Sequence, residues 1–376
     1  MKYRQHLREY RAAISQQMTR RDALSKIGAG MGSIGLAGMM GQGSLSGATG
    51  SSPNPLAPKE PHFPAKAKRI IQLFMPGGPS QVDTFDYKPM LAKHAGERPS
   101  IVDRKTLRNT KLGLMPSPFG FKRYGECGKM VSDIFPETAQ CVDDISFIHS
   151  MHTNIPEHAG GILMTNLGAL QANRPSMGSW LTYGLGADTD NLPGFVAMSP
   201  VAQPRGKIAN WGNSFLPGAY AGSYVNIGQM KPDAILSDLK NASLGREDQR
   251  KQADLLASLN RIHLDRLQQD QKLEAGIQAM EMAFRMQFSV PDVFDVAKES
   301  EATRKLYGDS HFAKGCLIAR RLVERGVRVV QLSHSISGYD IAWDTGHGNI
   351  IDGHRDLAQA CDQGIAALLK DLKSRG

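Results

Sequence analysis

Cysteine is scarce in this chain, and the four that occur, Cys127, Cys141, Cys316 and Cys361, are scattered. Close Cys pairs are what a disulfide scaffold or a thiolate zinc site needs, so both are excluded. A single Cys127 to Cys141 bridge and a set of buried free thiols both stay open. Aromatic residues make up only 7% of the sequence, and no Lys/Arg stripe interleaves with them as a nucleic-acid groove would require. No apolar run reaches the roughly 20 residues of a membrane-spanning helix. A Gly-rich dinucleotide fingerprint, a Walker loop and a Gly-x-Ser-x-Gly elbow are missing too.

What is present is an ordinary globular composition, 41% hydrophobic and 22% charged over 376 residues, enough to bury one large core or two modest ones. The formal charge is +9, but residues 1–48 hold seven Lys or Arg against Glu9 and Asp22 and so supply +5 of it. That asymmetry belongs to an export signal rather than to an acidic partner. A basic stretch ends in Thr19, Arg20 and Arg21, an apolar Gly-rich run covers residues 27–40, and Ser46-Gly47-Ala48 makes a small-residue cleavage site. The paired arginines mark twin-arginine (Tat) export. Residues 1–48 are therefore expected to be a Tat signal peptide that engages the Tat translocon and sends the protein to the periplasm or outside the cell, without a stable membrane span.

Residues 49–67, rich in Pro and Ser, read as a linker. Residues 69–75 are short and apolar and run into Pro76-Gly77-Gly78-Pro79, the pattern of a buried strand ending in a loop. Residues 143–148 read as a second strand and residues 326–333 as a third. The last follows an apolar helical stretch, residues 312–324, with Gly326 as its terminator. Helix, Gly turn and buried strand in that order predict a largely parallel sheet covered by helices. A helical insertion is expected over about residues 247–287, and an amphipathic helix over 354–375.

In open α/β sheets, functional groups gather in the loops after the carboxyl ends of strands. After the first strand come Ser80, Asp83 and Asp86, which suit either a cation site or a set of turns with a helix cap. After the second come His149, His152, Thr153, Asn154, Glu157 and His158, too dense in imidazole for an ordinary surface. After the third come His334, Asp340, Asp344, His347, Asp352 and His354 among several glycines. Imidazole and carboxylate together suit zinc or a similar divalent ion, and glycines let the backbone bend to gather ligands. Three such regions on one sheet edge converge on a binuclear metal hydrolase, in which two ions clamp the attacking and leaving oxygens of a phosphoryl or sulfuryl group.

At these residues the chain resembles the DUF1501 family. The resemblance is carried by Ala67-Lys68-Arg69, by Gly77-Gly78-Pro79-Ser80-Gln81-Val82-Asp83-Thr84-Phe85-Asp86 and by Arg174-Pro175-Ser176-Met177-Gly178-Ser179-Trp180. It continues in Ala283-Phe284-Arg285-Met286-Gln287, in Ala319-Arg320-Arg321-Leu322-Val323-Glu324-Arg325-Gly326-Val327 and in the loop over residues 343–354. That family is placed with alkaline phosphatases, sulfatases and nucleotide pyrophosphatases. The resemblance implies that residues 68–376 form a three-layer α/β/α, alkaline phosphatase-like mixed sheet, incomplete at the C-terminus, because family members continue past Lys373-Ser374-Arg375-Gly376 into further ligand-bearing segments. It implies a metal-dependent hydrolase of a small-molecule or polysaccharide phosphate or sulfate ester, using zinc, or calcium or magnesium, at one or two sites. Asp83, Asp344, His347 and His354 would be the metal ligands, Thr153 the hydroxyl nearest the nucleophile position, His158 a group beside the reacting centre and Arg174 an oxyanion clamp. Asn154 stands where the superfamily's nucleophile is expected, and the sulfatase cysteine is absent. The resemblance therefore also admits an exported, non-catalytic binding or assembly module that keeps the fold.

Overall fold

The computed structural model describes residues 55–98, 113–155, 157–201, 203–228, 291–335, 343–344 and 349–376, with scattered positions between 248 and 286 that are helical. The signal segment, most of the insertion over 247–287, Asp340 and His347 lie outside the described residues.

Six strands are described: β1 (Ile70–Phe74), β2 (Phe121–Tyr124), β3 (Lys129–Ser132), β4 (Phe195–Ser199), β5 (Ser223–Asn226) and β6 (Val329–Ser333). The main sheet has the order β1-β6-β4-β5, and each of its pairings is parallel. β2 and β3 form a separate antiparallel pair. The fold is thus α/β with a parallel sheet, as the helix-turn-strand pattern implies.

Around the sheet lie α1 (Pro89–Lys93), α2 (His158–Leu167), α3 (Met177–Leu185), α4 (Glu301–Tyr307), α5 (His311–Glu324) and α6 (Ile350–Ser374). Alternation along the strands decides what each sheet face receives. Ile71, Leu73, Val196, Met198, Val330 and Leu332 turn to the side of α5 and α6, where they join Leu317, Leu322, Leu357 and Leu368 in the main core. On the opposite side Phe195, Ala197 and Val329 form a smaller cluster with Trp211.

Local chemistry sets the helix limits. Ser310 caps α5 by accepting from the Ala313 N–H at 2.9 Å. Past its end Gly326 sits at φ +91°, where a Cβ would lie 2.1 Å from the Asp188 carbonyl oxygen, so only glycine closes this turn. The segment before α4, α5 and α6 are tied by an ionic cluster in which the buried Arg320 meets Glu299 at 2.8 Å, Glu324 at 2.6 Å and Asp371 at 3.2 Å. Removing one partner of such a cluster leaves an uncompensated charge, which is far more damaging than the cluster is stabilising.

One expectation needs correction. Residues 143–148 are not a strand: Thr138–Asp144 is a 3-10 helix, followed by irregular chain. Asp362 of α6 holds the entry to this turn, accepting from the Glu137 and Thr138 N–H groups, both at 2.7 Å, and Asp143 accepts from the Glu126 and Cys127 N–H groups, both at 2.9 Å. The Ile145 N–H donates to the Val142 carbonyl at 3.1 Å, so the turn takes a donor that a strand would give to a neighbour. The chain from Pro55 to β1 lacks regular structure, but it is anchored: Leu56 is buried against Leu216 and Tyr220 and its carbonyl accepts from Ala187. The cysteines are unpaired, Cys127 exposed and the other three buried. Among the described residues no helix is long and apolar enough to cross a membrane.

Candidate functional site

The loop after β1 is locked by its own side chains. The Ser80 hydroxyl donates to Asp83 Oδ2 at 2.5 Å, Thr84 Oγ1 donates back to the Ser80 carbonyl at 2.9 Å, and the Ser80 N–H donates to His354 Nε2 at 3.0 Å. His354 therefore accepts through Nε2 and carries its proton on Nδ1. Burial lowers its pKa, with the Asp83 carboxylate pulling the other way.

The loop after β6 is held to the same place. The His334 N–H donates to the Phe74 carbonyl at 2.8 Å, the Trp343 N–H to the Pro76 carbonyl at 3.0 Å, and Trp343 Nε1 to His334 Nδ1 at 2.9 Å. His334 is fully buried, and desolvation lowers its pKa to about 3, so it is a neutral acceptor at any working pH. The Trp343 ring meets the His354 ring edge-on at 5.3 Å, which joins the two loops. Fixing Trp343 also fixes its neighbour Asp344.

Asp344 Oδ2 lies 3.3 Å from Nε2 of His158, the first residue of α2. Glu157 caps this helix by accepting from the Ala159 and Gly160 N–H groups at 2.8 and 2.9 Å. Those two bonds chiefly hold its carboxyl below the usual carboxylate range, and the nearby Arg205 and His158 add to the effect.

Side-chain amides tie α2 to the sheet. Gln72 of β1 and Gln331 of β6 stand side by side in register and donate to Asn166 Oδ1 at 3.3 and 3.2 Å. Asn166 donates to Asn210 Oδ1 at 3.2 Å, and Asn210 Nδ2 in turn donates to the Arg205 and Lys207 carbonyls at 2.9 and 3.1 Å. A chain of amides thus connects the edge strand β1 and its neighbour β6 to a turn after β4. The sequence reading did not single out Gln72, Gln331, Asn166, Asn210 or Arg205. Its available signal was a glutamine at the centre of two otherwise apolar strands, which asks for a buried polar partner.

The profile of the family described as a protein of unknown function (DUF1501) matches residues 67–376. The chain belongs to the DUF1501 family. No curated protein and no solved structure matches it.

Of the residues singled out in this DUF1501 chain, the fold joins Asp83 with His354, and Asp344 with His158. Thr153 is exposed on the segment leading into α2, its Oγ1 accepting from the Ile155 N–H at 3.4 Å. Arg174 donates to the Gly168 carbonyl at 3.2 Å, at the opposite end of α2 from His158. His149 belongs to a surface chain, with Lys129 Nζ at 2.9 Å from its Nε2 and Asp86 Oδ1 at 3.3 Å from its Nδ1. His347 lies outside the described residues. Among the described residues no three His, Cys, Asp or Glu side chains converge as a metal cage. One pair is close to what a cation requires: adjacent ligands on a tetrahedral zinc stand about 3.4 Å apart, given Zn–N and Zn–O bonds near 2.1 Å, and His158 Nε2 and Asp344 Oδ2 are separated by 3.3 Å. His354 fits a ligand role less well, because its Nε2 lone pair is engaged by the Ser80 N–H.

Proposed function

We propose that this DUF1501 protein is an exported, metal-dependent hydrolase of phosphate or sulfate esters, working at the carboxyl edge of an alkaline phosphatase-like α/β/α sheet. The observation that carries the reading is the pairing of His158 with Asp344, two chemistry-bearing residues from distant parts of the chain, at the separation of neighbouring metal ligands. Helices on both sheet faces support the fold assignment, and the twin-arginine pattern at Arg20 and Arg21 supports export.

In this reading His158 and Asp344 hold a divalent ion, zinc first, with His347 and Asp83 as further ligand candidates. A cation there would act as a Lewis acid and offset the charge of the ester's oxygens. Trp343 and His334 keep Asp344 in place, and His354 and Asp83 keep the Ser80 loop closed. The Thr153 hydroxyl is the candidate nucleophile, its oxygen accepting from the Ile155 N–H.

Elemental analysis of the purified protein tests the reading. One to two equivalents of zinc or a similar ion, lost in both Asp344→Ala and His158→Ala, are expected, together with turnover in a screen of phosphate and sulfate esters. A protein that takes up no metal on reconstitution overturns it. A second reading, an exported binding module without catalysis, is favoured by Asn154, an amide at the position matching the superfamily nucleophile. It predicts that Thr153→Ala leaves every measured property unchanged. Replacing Arg20 and Arg21 by lysine is expected to block export, and a reporter fusion that still reaches the periplasm would rule out the Tat assignment.

A further inference from the structure

The amide chain beneath α2 ends on a short turn whose backbone is unusual. Gly206 sits at φ +89° and the next residue, Lys207, at φ +45°, so two consecutive residues occupy the left-handed region, one of them with a side chain. A conformation of this kind persists only where the surroundings over-determine it. Here they do: Asn210 Nδ2 grips the carbonyls on both sides of Gly206, and Asn210, Asn166 and Gln331 are all buried. Gly206 is also pressed against α2, since a Cβ there would lie 3.2 Å from Leu163 Cδ2 and 3.1 Å from Asn210 Nδ2. The rigid element presents two exposed cations, Arg205 and Lys207, in the loop that leaves the carboxyl end of β4. Fixed backbone beneath long cationic side chains is the arrangement that lowers the ordering entropy of anion capture.

The position of this turn distinguishes it from Arg174. α2 has ten residues and so spans about 15 Å. Arg174 is bound to the carbonyl of Gly168 at the helix's C-terminal end, whereas Arg205 lies near Glu157 at the end that carries His158. Glu157 already satisfies two of the first N–H groups of α2, so the bare helix terminus is not the anion receptor.

We propose that the Arg205-Gly206-Lys207 turn, and not Arg174, recognises the anionic group of the substrate, a tetrahedral oxyanion such as a phosphate or sulfate ester, and holds it beside His158. The proposal rests on the ester reading given above for the chemical class of ligand, but not on turnover. Arg205 supplies the planar fork that matches two oxyanion oxygens at once, and Lys207 supplies a point charge. Both are brought to the site by the sheet through Gln72, Gln331, Asn166 and Asn210.

The test is calorimetric binding of inorganic phosphate and of inorganic sulfate to the full chain, alongside Arg205→Gln, Arg205→Lys, Lys207→Gln and Arg174→Gln. Circular dichroism and melting temperature are measured for every variant, and a change in binding is read only from variants that keep the fold. Arg205→Gln is expected to weaken binding at least tenfold, Arg205→Lys and Lys207→Gln several-fold, and Arg174→Gln less than twofold. Asn210→Ala should weaken binding without removing any cation, because the turn loses its grip. The proposal is overturned if Arg205→Gln binds as the unsubstituted protein does, if Arg174→Gln carries the loss instead, or if neither anion binds. Ester turnover that survives Arg205→Gln with an unchanged KM would sink the assignment while leaving the hydrolase reading intact. Anion binding that depends on Arg205 in a protein without turnover would support the assignment and remove the hydrolase reading.

Discussion

On the α5 and α6 side of the sheet, Ile71, Leu73, Val196, Met198, Val330 and Leu332 close a continuous apolar core. On the α2 side, β1 and β6 present Gln72 and Gln331, which reach Asn166 and Asn210. Apolar packing is non-directional and tolerates shifts of a helix along its partner. An amide chain tolerates none, because each donor left unmatched in the interior is expensive. One face therefore supplies stability, and the other fixes where α2 and the Arg205 turn stand. His158 and Arg205 hang from the second, whereas His354 rides on α6 and Asp344 follows Trp343 of the main core.

The widest gap between the faces should appear in Leu332→Ala, which removes a fully buried side chain packed against α5. A loss of about 3–4 kcal/mol in urea unfolding is expected, with phosphate affinity unchanged under conditions where the variant is folded. Asn166→Ala should lose about 2–3 kcal/mol, since it strands the Gln72 and Gln331 amides. Converting Gln72, Asn166 and Gln331 together to leucine should restore much of that stability and none of the anion affinity. Recovery of both would mean that the polar face is merely another core.

A smaller effect comes from pH. The pKa of His334 is about 3 in the folded chain against an ordinary 6.5, so the unfolded chain takes up its proton first as pH falls. Stability is then fully present above about pH 6.5 and declines below it, by about 2 kcal/mol at pH 5, with the decline continuing toward pH 3. Thermal melts across that range should show the slope, and His334→Gln should flatten it; an unchanged slope would mean that His334 is not buried in solution. Smallest of all, Asp344→Asn should shift stability by under about 0.5 kcal/mol, because the His158 pair is partly exposed and screened. The same substitution should abolish metal uptake. A large stability change with metal uptake preserved would make the pair structural.

Much of the fold was legible because local pattern reports burial. The apolar runs that became β1 and β6, the helix closed by Gly326 and the final amphipathic helix all appear where periodicity places them. Residues 143–148 misled because the strand-like run begins inside a 3-10 turn whose entry is held by Asp362, a residue far along the chain. β4, bounded by Pro193-Gly194 and Pro200, carried a usable signal that was passed over. Within the site, His158 and Asp344 were each singled out by residue type, but nothing in the sequence said that they would meet. The oxyanion role expected of Arg174 drew on motif position, whereas Arg205 lies in a stretch with no motif at all.

The sequence by itself determined β1, β6, α5 and α6, the α/β class and the DUF1501 membership, because side-chain periodicity and motif order are properties of neighbouring residues. The tertiary structure decided which histidine faces which carboxylate, which arginine stands at the working end of α2 and which polar groups are sealed inside. Those pairings join residues far apart in the chain, and they are set by how the amide-bearing face of the sheet seats one helix, a constraint that no local pattern encodes.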